Sequence, residues 1–318
     1  MHILITGSSG EIGTNLACAL QKLGHSVHGI DKRENTWVTT IPTTILDLSK
    51  RFSDYTNGFD AKHIEKPDVV VHLAANAKVH ELVVDPQRAL DNITDCFNVL
   101  EYCRVQNVPI IFSSSREVYG DVYRFLSDRE AVNETKAQFV YTESPYSASK
   151  IAGEALIHSY ARCYKLPYLI FRFSNVYGRF DNDIERMERV IPLFIKKIHN
   201  DEPITIYGKE KTLDFTYVDD TVQGLIKGIE KLTNGSIHNK TYNLAYGQGH
   251  TLHEMATFIA ENLGKTVNPT FEDLRPGEIS YYVADITQAK TDLGYNPTTT
   301  LKEGIAKTIA WWKEHGDL

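Results

Sequence analysis

A doubly wound α/β fold is what this sequence predicts, on three observations. Short β-rich apolar runs alternate with helix-length amphipathic stretches through the first half. Those runs suit burial on both faces of a parallel sheet. A glycine-rich turn joins the first run to the first helix. Ile3–Thr6, within the apolar run His2–Thr6, reads as the first strand, and Ile12, Leu16, Leu20 and Leu23 then recur at helical spacing. Gly24 stops that helix, and Ser26–Asp31 is the second strand. Val69–Leu73, Ile110–Ser113 and Leu169–Phe173 continue the sheet, with long helices at about 86–105 and 145–163 between them. Alternation of this kind calls for right-handed crossovers.

After about residue 175 the rhythm becomes irregular. Pro192, Pro203, Pro276 and Pro297 punctuate short elements, including helical stretches at Thr251–Leu263 and Leu301–His315. Asp214–Lys227 reads as a strand-to-helix passage able to return to the main sheet. The expected organisation is a Rossmann-type domain over 1–175, with parts of about 214–245 returning to it. Residues 176–318 then form mainly a smaller C-terminal substrate-binding lobe.

The chain has 318 residues, 42% hydrophobic and 24% charged, which is ordinary for a globular protein able to bury a large core. Its net charge of −7 and the lack of a long basic run give no reason to expect nucleic acid as partner. No apolar run approaches membrane-spanning length, and a strand starting at residue 3 leaves no room for a signal peptide. Cys18, Cys96, Cys103 and Cys163 show neither CxxC spacing nor a dense framework, so buried thiols in a reducing cytoplasm are expected. His25/His28 and His250/His253 have possible ligand spacing, but scattered surface histidines explain both pairs, and no metal is expected.

The turn after the first strand reads Gly7-Ser-Ser-Gly10-Glu11-Ile12-Gly13. Glycines there let backbone approach a dinucleotide pyrophosphate, and the helix N-terminus adds free N–H groups and a partial positive charge. Asp31 ends the second strand, where a carboxylate accepts both adenosine-ribose hydroxyls and repels a 2′-phosphate, favouring NAD over NADP. Lys32 and Arg33 follow and offer charge to a phosphate. Asp47-Leu48 either places a carboxylate near the adenine amino group or caps a helix.

Tyr146 and Lys150 stand four residues apart, on one helix face. Ser144 is the expected N-cap and Pro145 the first helical residue, which puts Tyr146 in the first turn. The helix dipole and Lys150 are expected to hold the phenol below its ordinary value of about 10, making it a general base near neutral pH. Ser113-Ser114-Ser115 closes the preceding strand, where the Ser115 hydroxyl reaches the same substrate oxygen.

With these residues the chain resembles the extended short-chain dehydrogenases/reductases of the NAD-dependent nucleotide-sugar epimerase/dehydratase group. The resemblance runs through Thr6–Gly13, His72–Ala75, Asn92, Phe112–Gly120, Tyr146–Lys150, Arg172–Gly178, Asp214–Asp220 and Arg275–Asp285. It implies that Leu73, Ala74, Ala75, Ser113 and Phe173 line bound NAD and that Asn92 supports it. It also implies a homodimer through the helices at 86–105 and 145–163, unless these pack only within the chain. For a nucleotide-diphospho-sugar substrate, Asn175 and Arg275 match diphosphate-contacting positions, and Val190 and Tyr207 match segments that cradle the base. Tyr207 is equally readable as a core residue, and Tyr282 stands where bulk limits the C2 substituent.

Some positions depart from the pattern. Leu213 stands where the family usually has a diphosphate-binding arginine, leaving Arg179, Arg186 or Lys211 to substitute. The Asn92 segment lacks a frequent glycine, read as a packing change. Glu117 matches a catalytic glutamate of dehydratases and decarboxylases. Arg116, however, occupies the place of the dehydratase acid, and an arginine cannot donate that proton. The reaction so implied is 4-epimerisation of a nucleotide-sugar, a UDP-hexose, through a transient 4-keto intermediate. The alternatives are a dehydratase or decarboxylase using Glu117, and a non-catalytic NAD-binding scaffold. Asn175, where glucuronate epimerases tend to have Thr, points to a neutral hexose.

Overall fold

The computed structural model describes residues 1–50, 64–121, 130–138, 141–181, 189–316 and 318. Its elements run β1 (His2–Thr6), α1 (Glu11–Lys22), β2 (Ser26–Asp31), β3 (Thr43–Ile45), β4 (Val69–His72), α2 (Val79–Val84) and α3 (Gln87–Gln106). Then come β5 (Ile110–Ser115), α4 (Pro145–Tyr164), β6 (Tyr168–Phe173), β7 (Asn175–Tyr177), α5 (Val190–His199), β8 (Thr205–Tyr207) and β9 (Thr212–Tyr217). The chain continues through α6 (Val218–Thr233), β10 (Lys240–Leu244), β11 (Gly249–Thr251), α7 (Leu252–Leu263), β12 (Thr270–Glu272) and β13 (Tyr281–Tyr282). It closes with α8 (Thr287–Leu293) and α9 (Leu301–His315).

Seven strands form one sheet in the order β10-β6-β5-β4-β1-β2-β3, every neighbouring pair parallel. The twofold alternation of side chains along each strand explains the two apolar layers that cover it. Ile3, Ile5, Val69, Val71, Ile111, Leu169 and Phe171 face one layer, with Leu16 and Leu20 of α1 and Leu225 and Ile229 of α6. Leu4, Val70, Ile110, Phe112 and Ile170 face the other, against Val99 and Leu100 of α3 and Ile157 of α4. This is a doubly wound α/β fold, and the strand order reverses between β1 and β4, leaving a crevice at the carboxyl ends.

Beside it lies a second sheet, β11-β9-β13 with β7 paired to β9, and a small parallel pair, β8 with β12. The passage at Asp214–Lys227 does not itself enter the main sheet: its strand belongs to β9, and β10 is the strand that joins β6. Asp214, fully buried, fastens the second sheet by accepting from the backbone N–H of Tyr246 (3.1 Å), Gly247 (2.9 Å) and Ala284 (3.2 Å). The thiols differ from expectation at one position: Cys96 and Cys103 are buried and Cys18 partly so, but Cys163 is exposed on the last turn of α4. Among the described residues no helix is long and apolar enough to cross a membrane.

Candidate active site

Two glycines of the turn, Gly7 and Gly13, leave no room for a side chain, so the backbone packs closely where a dinucleotide would lie. A Cβ on Gly13 would lie 2.2 Å from the Gly7 carbonyl oxygen, and one on Gly7 would lie 2.7 Å from the backbone nitrogen of Ala74. Gly7 also takes φ +74°, which L side chains rarely adopt. The turn is therefore held tight against the end of β4, and the free N–H groups of α1 open into the crevice. Beneath it Thr6 Oγ1 hydrogen-bonds His72 Nδ1 at 2.7 Å and accepts from the Ala74 N–H at 3.3 Å. Burial holds that imidazole far down, to about 3, so it is neutral.

A cavity of about 480 Å³ runs along this edge, within the range of small-molecule sites. Gly7, Gly10, Glu11, Ile12 and Gly13 form one end, with Asp31, Lys32, Asp47 and Leu48 beyond them. Asp31 orders its own corner by accepting from Ser9 N–H (2.9 Å) and Arg33 N–H (3.2 Å). Asp47 Oδ1 accepts from Ser49 N–H (3.1 Å) and the Ser49 hydroxyl (2.7 Å), which closes a turn, while Asp47 also lines the cavity. Leu73, Ala74, Ala75, Ser113 and Phe173 form the middle of the wall. Asn92 stands behind it: its Oδ1 accepts from Asn76 N–H (2.7 Å), and its Nδ2 donates to the Asn76 carbonyl (3.1 Å) and Ser149 Oγ (3.2 Å).

The fold gathers Ser115, Glu117, Tyr146, Lys150, Asn175 and Val190 on the same cavity. Tyr146 is there because α4 starts where the sequence signals it. The Ser144 hydroxyl accepts from Ser147 N–H (3.2 Å), Ser147 Oγ accepts from Ser144 N–H (3.1 Å), and Pro145 opens the helix. Lys150, one turn on and buried, donates from Nζ to the Ser113 carbonyl at 2.8 Å. Burial lowers its ammonium to about 8 against the pull of Cys96, Asp95 and Glu154.

The phenol departs from expectation. Burial pushes Tyr146 up to about 12, opposed by a hydrogen bond from the Ser115 hydroxyl, and the nearby charges that act on it are Glu117, Arg116 and Arg189. Lys150 Nζ lies 5.8 Å from the tyrosine ring centroid and spends its hydrogen bond on the β5 backbone. Desolvation outweighs the helix dipole, which is why the protein by itself does not hold this phenol below 10.

Other expected substrate contacts sit elsewhere. Tyr207, Arg275 and Tyr282 are not among the residues lining the cavity. Arg275 stacks on Tyr207, its guanidinium 4.4 Å from the ring centroid, and pairs with Glu278 at 2.8 Å. Lys211 holds the same Glu278 at 2.9 Å, and Arg179 is bound to Asn15 and Asp219. Arg186 lies outside the described residues. Tyr282 is buried, in register with Leu213 and stacked on Tyr119.

The structure adds residues that no local motif marks. Arg189 lines the cavity and pairs with Glu11, 178 residues away, and with Asp181 at 3.3 Å, so the glycine turn is tied to the start of α5. Asp95 also lines it, where burial raises the carboxyl to about 7 and Oδ1 has no hydrogen-bond partner. Its only signal was the missing glycine after Asn92, read there as packing.

The model of the NAD dependent epimerase/dehydratase family matches residues 3–245. The chain belongs to that family. It is 30% identical to UDP-glucuronate 4-epimerase 1 of Arabidopsis thaliana over 98% of this chain and 76% of that protein. The crystal structure of UDP-glucose 4-epimerase with UDP-glucose from Thermotoga maritima superposes with a TM-score of 0.88 at 27% identity, covering 99% of both chains. UDP-glucuronic acid 4-epimerase from Bacillus cereus, solved with UDP-glucuronic acid and NAD, gives 0.84 at 28% identity over 99% of this chain and 100% of that one. The glycine turn, β4, β5 and α4 of this family member all fall inside the matched segment, which begins at the second residue of β1.

Proposed function

We propose that this chain is an NAD-dependent nucleotide-sugar 4-epimerase acting on a UDP-hexose through a transient 4-keto sugar. One observation carries the reading: Ser115, Tyr146 and Lys150 share a cavity with the glycine turn and Asp31. A scaffold that only bound NAD would have no use for a phenol and an ammonium at that place. Gly7, Gly10 and Gly13 would hold the pyrophosphate, Asp31 the adenosine ribose, and Leu73, Ala74, Ala75 and Phe173 the length of the cofactor. Bound there, NAD⁺ supplies the hydride acceptor and a positive charge that draws the phenol down from about 12.

Tyr146 takes the proton of the 4-hydroxyl through its phenolic oxygen and returns it once the 4-keto sugar has turned over. Ser115 donates its hydrogen bond at the same oxygen, and the fixed position of both groups lowers the reorganisation needed in the transition state. Lys150, anchored on the Ser113 carbonyl, holds the ribose side of the site. Residues from 176 onward, apart from α6 and β10, form mainly the lobe that closes on the nucleotide-sugar, with Val190 and Arg189 among those that line the cavity and Asn175 beside them just before the lobe begins. The relatives solved with UDP-sugars support this reading.

We also infer a cytoplasmic homodimer. α3 and α4 pack side by side and leave Leu90 and Tyr164 exposed on their outer faces, which supports a paired-helix contact. Analytical ultracentrifugation giving only monomer would remove the dimer.

Tyr146→Phe is the test of the chemistry. Interconversion of UDP-glucose and UDP-galactose should fall by about 10²–10⁴-fold while NAD stays bound, measured by product chromatography and nucleotide released on heating. Turnover unchanged in that variant would refute the assignment.

A further inference from the structure

Next to the catalytic serine the chain places two opposite charges side by side in the cavity wall. Arg116 Nη2 and Glu117 Oε1 are 2.9 Å apart, with side chains 12% and 6% exposed. Each keeps one buried atom with no hydrogen-bond partner: Nη1 of Arg116, a donor, and Oε2 of Glu117, an acceptor. Both residues line the cavity that holds Tyr146 and Ser115. The guanidinium is fixed from behind by Tyr282, whose ring centroid is 5.8 Å from it, and Tyr282 in turn stacks on Tyr119 and pairs in register with Leu213. Leu213 offers that corner no polar side chain, and the charges that reach the pair from this side are Asp214 of β9, which acts on Arg116, and Lys211, which acts on both.

An orphaned donor and an orphaned acceptor, both buried, each cost stability that a ligand restores by pairing with them. A hydroxyl does both jobs, accepting from Nη1 and donating to Oε2. A carboxylate does one and opposes the other, because it meets Oε2 as like charge while Arg116 is already neutralised by Glu117.

We propose that the Arg116–Glu117 pair is the specificity element of this enzyme, reading hydroxyls beside the reacting carbon and so selecting a neutral hexosyl group over a uronate. This rests on the 4-epimerase reading above and names its substrate class. Glu117 acts as a hydrogen-bond acceptor toward the sugar and takes no proton from carbon.

The test compares kcat/KM for UDP-glucose and UDP-glucuronate, by chromatography of the 4-epimers, in NAD-containing wild-type protein, Glu117→Gln and Arg116→Lys. Wild type should favour UDP-glucose by about tenfold or more, and Glu117→Gln should move the ratio at least about tenfold toward the uronate. Arg116→Lys keeps the charge and loses the fork, so it should lower kcat/KM for UDP-glucose by about tenfold. Bound NAD reports folding in each variant. A ratio unmoved by Glu117→Gln, or wild type favouring UDP-glucuronate, overturns the inference alone. Glu117-dependent deuterium at a sugar carbon after turnover in D₂O overturns it too. A wild type that epimerises neither sugar overturns the 4-epimerase reading and this inference with it.

Discussion

Lys150→Met should change how stability depends on pH, and the size follows from where the lysine sits. Buried at the end of β5, Lys150 in the nucleotide-free protein is lowered from the ordinary 10.5 to about 8 by desolvation. Between those values the unfolded chain binds a proton that the folded chain has released. Stability therefore rises with pH through that window, and the cost of burying the ammonium is felt in full only below about 8. Integrated from pH 7 to 10, the gain is about 2.5 kcal/mol. Tyr146 works with the opposite sign, since its folded value near 12 exceeds the unfolded one, but that loss begins only above pH 10. Urea unfolding of nucleotide-free wild type and Lys150→Met at several pH values isolates the effect. The variant also loses the hydrogen bond to the Ser113 carbonyl, which shifts its curve by a constant without changing its slope. The difference between the proteins should narrow or reverse by about 2.5 kcal/mol on going from pH 10 to 7. Parallel curves would refute the burial argument.

Other predictions follow from contacts rather than charge. Gly13→Ala puts a Cβ 2.2 Å from the Gly7 carbonyl, so the turn must open at a cost of about 1–3 kcal/mol, and NAD affinity should fall with it. Isothermal titration giving wild-type affinity would contradict this. Removing Arg189 takes the cation from the buried Glu11 carboxylate, and Arg189→Ala should lose about 3 kcal/mol in urea unfolding. Adding Glu11→Gln should recover part of that loss, since the buried carboxylate that Arg189 neutralised is then gone; a double variant weaker than the single would count against the ion-pair account.

Much of the frame was legible because its signals are local. The glycine turn, the β-rich runs and the Ser144-Pro145 start of α4 each act over a few residues, and their physical cause is the geometry of a turn, a strand or a cap. β2 and α9 fall at the expected residues, Ser26–Asp31 and Leu301–His315. Most of the candidate residues on the first half of the chain line one cavity, because the carboxyl ends of β1, β4 and β5 converge whenever a parallel sheet of this order forms.

The tertiary structure alone decided matters that depend on distance across the fold and on water. Nothing local in the sequence tells that Glu11 meets Arg189, that Asp95 opens into the cavity, or that Arg116 settles over Tyr282. The same holds for the proton on Tyr146. Its partners can be listed from spacing, but whether the phenol is acidified or held above 10 depends on how completely water is excluded. The sequence by itself determined the main strands and helices of the first half, the turns between them and the chemical groups carried at their ends. Which of those groups lose their solvent, and which face a charge from a remote part of the chain, is set only when the two apolar layers close on the sheet, because desolvation and Coulomb energy are properties of three-dimensional surroundings.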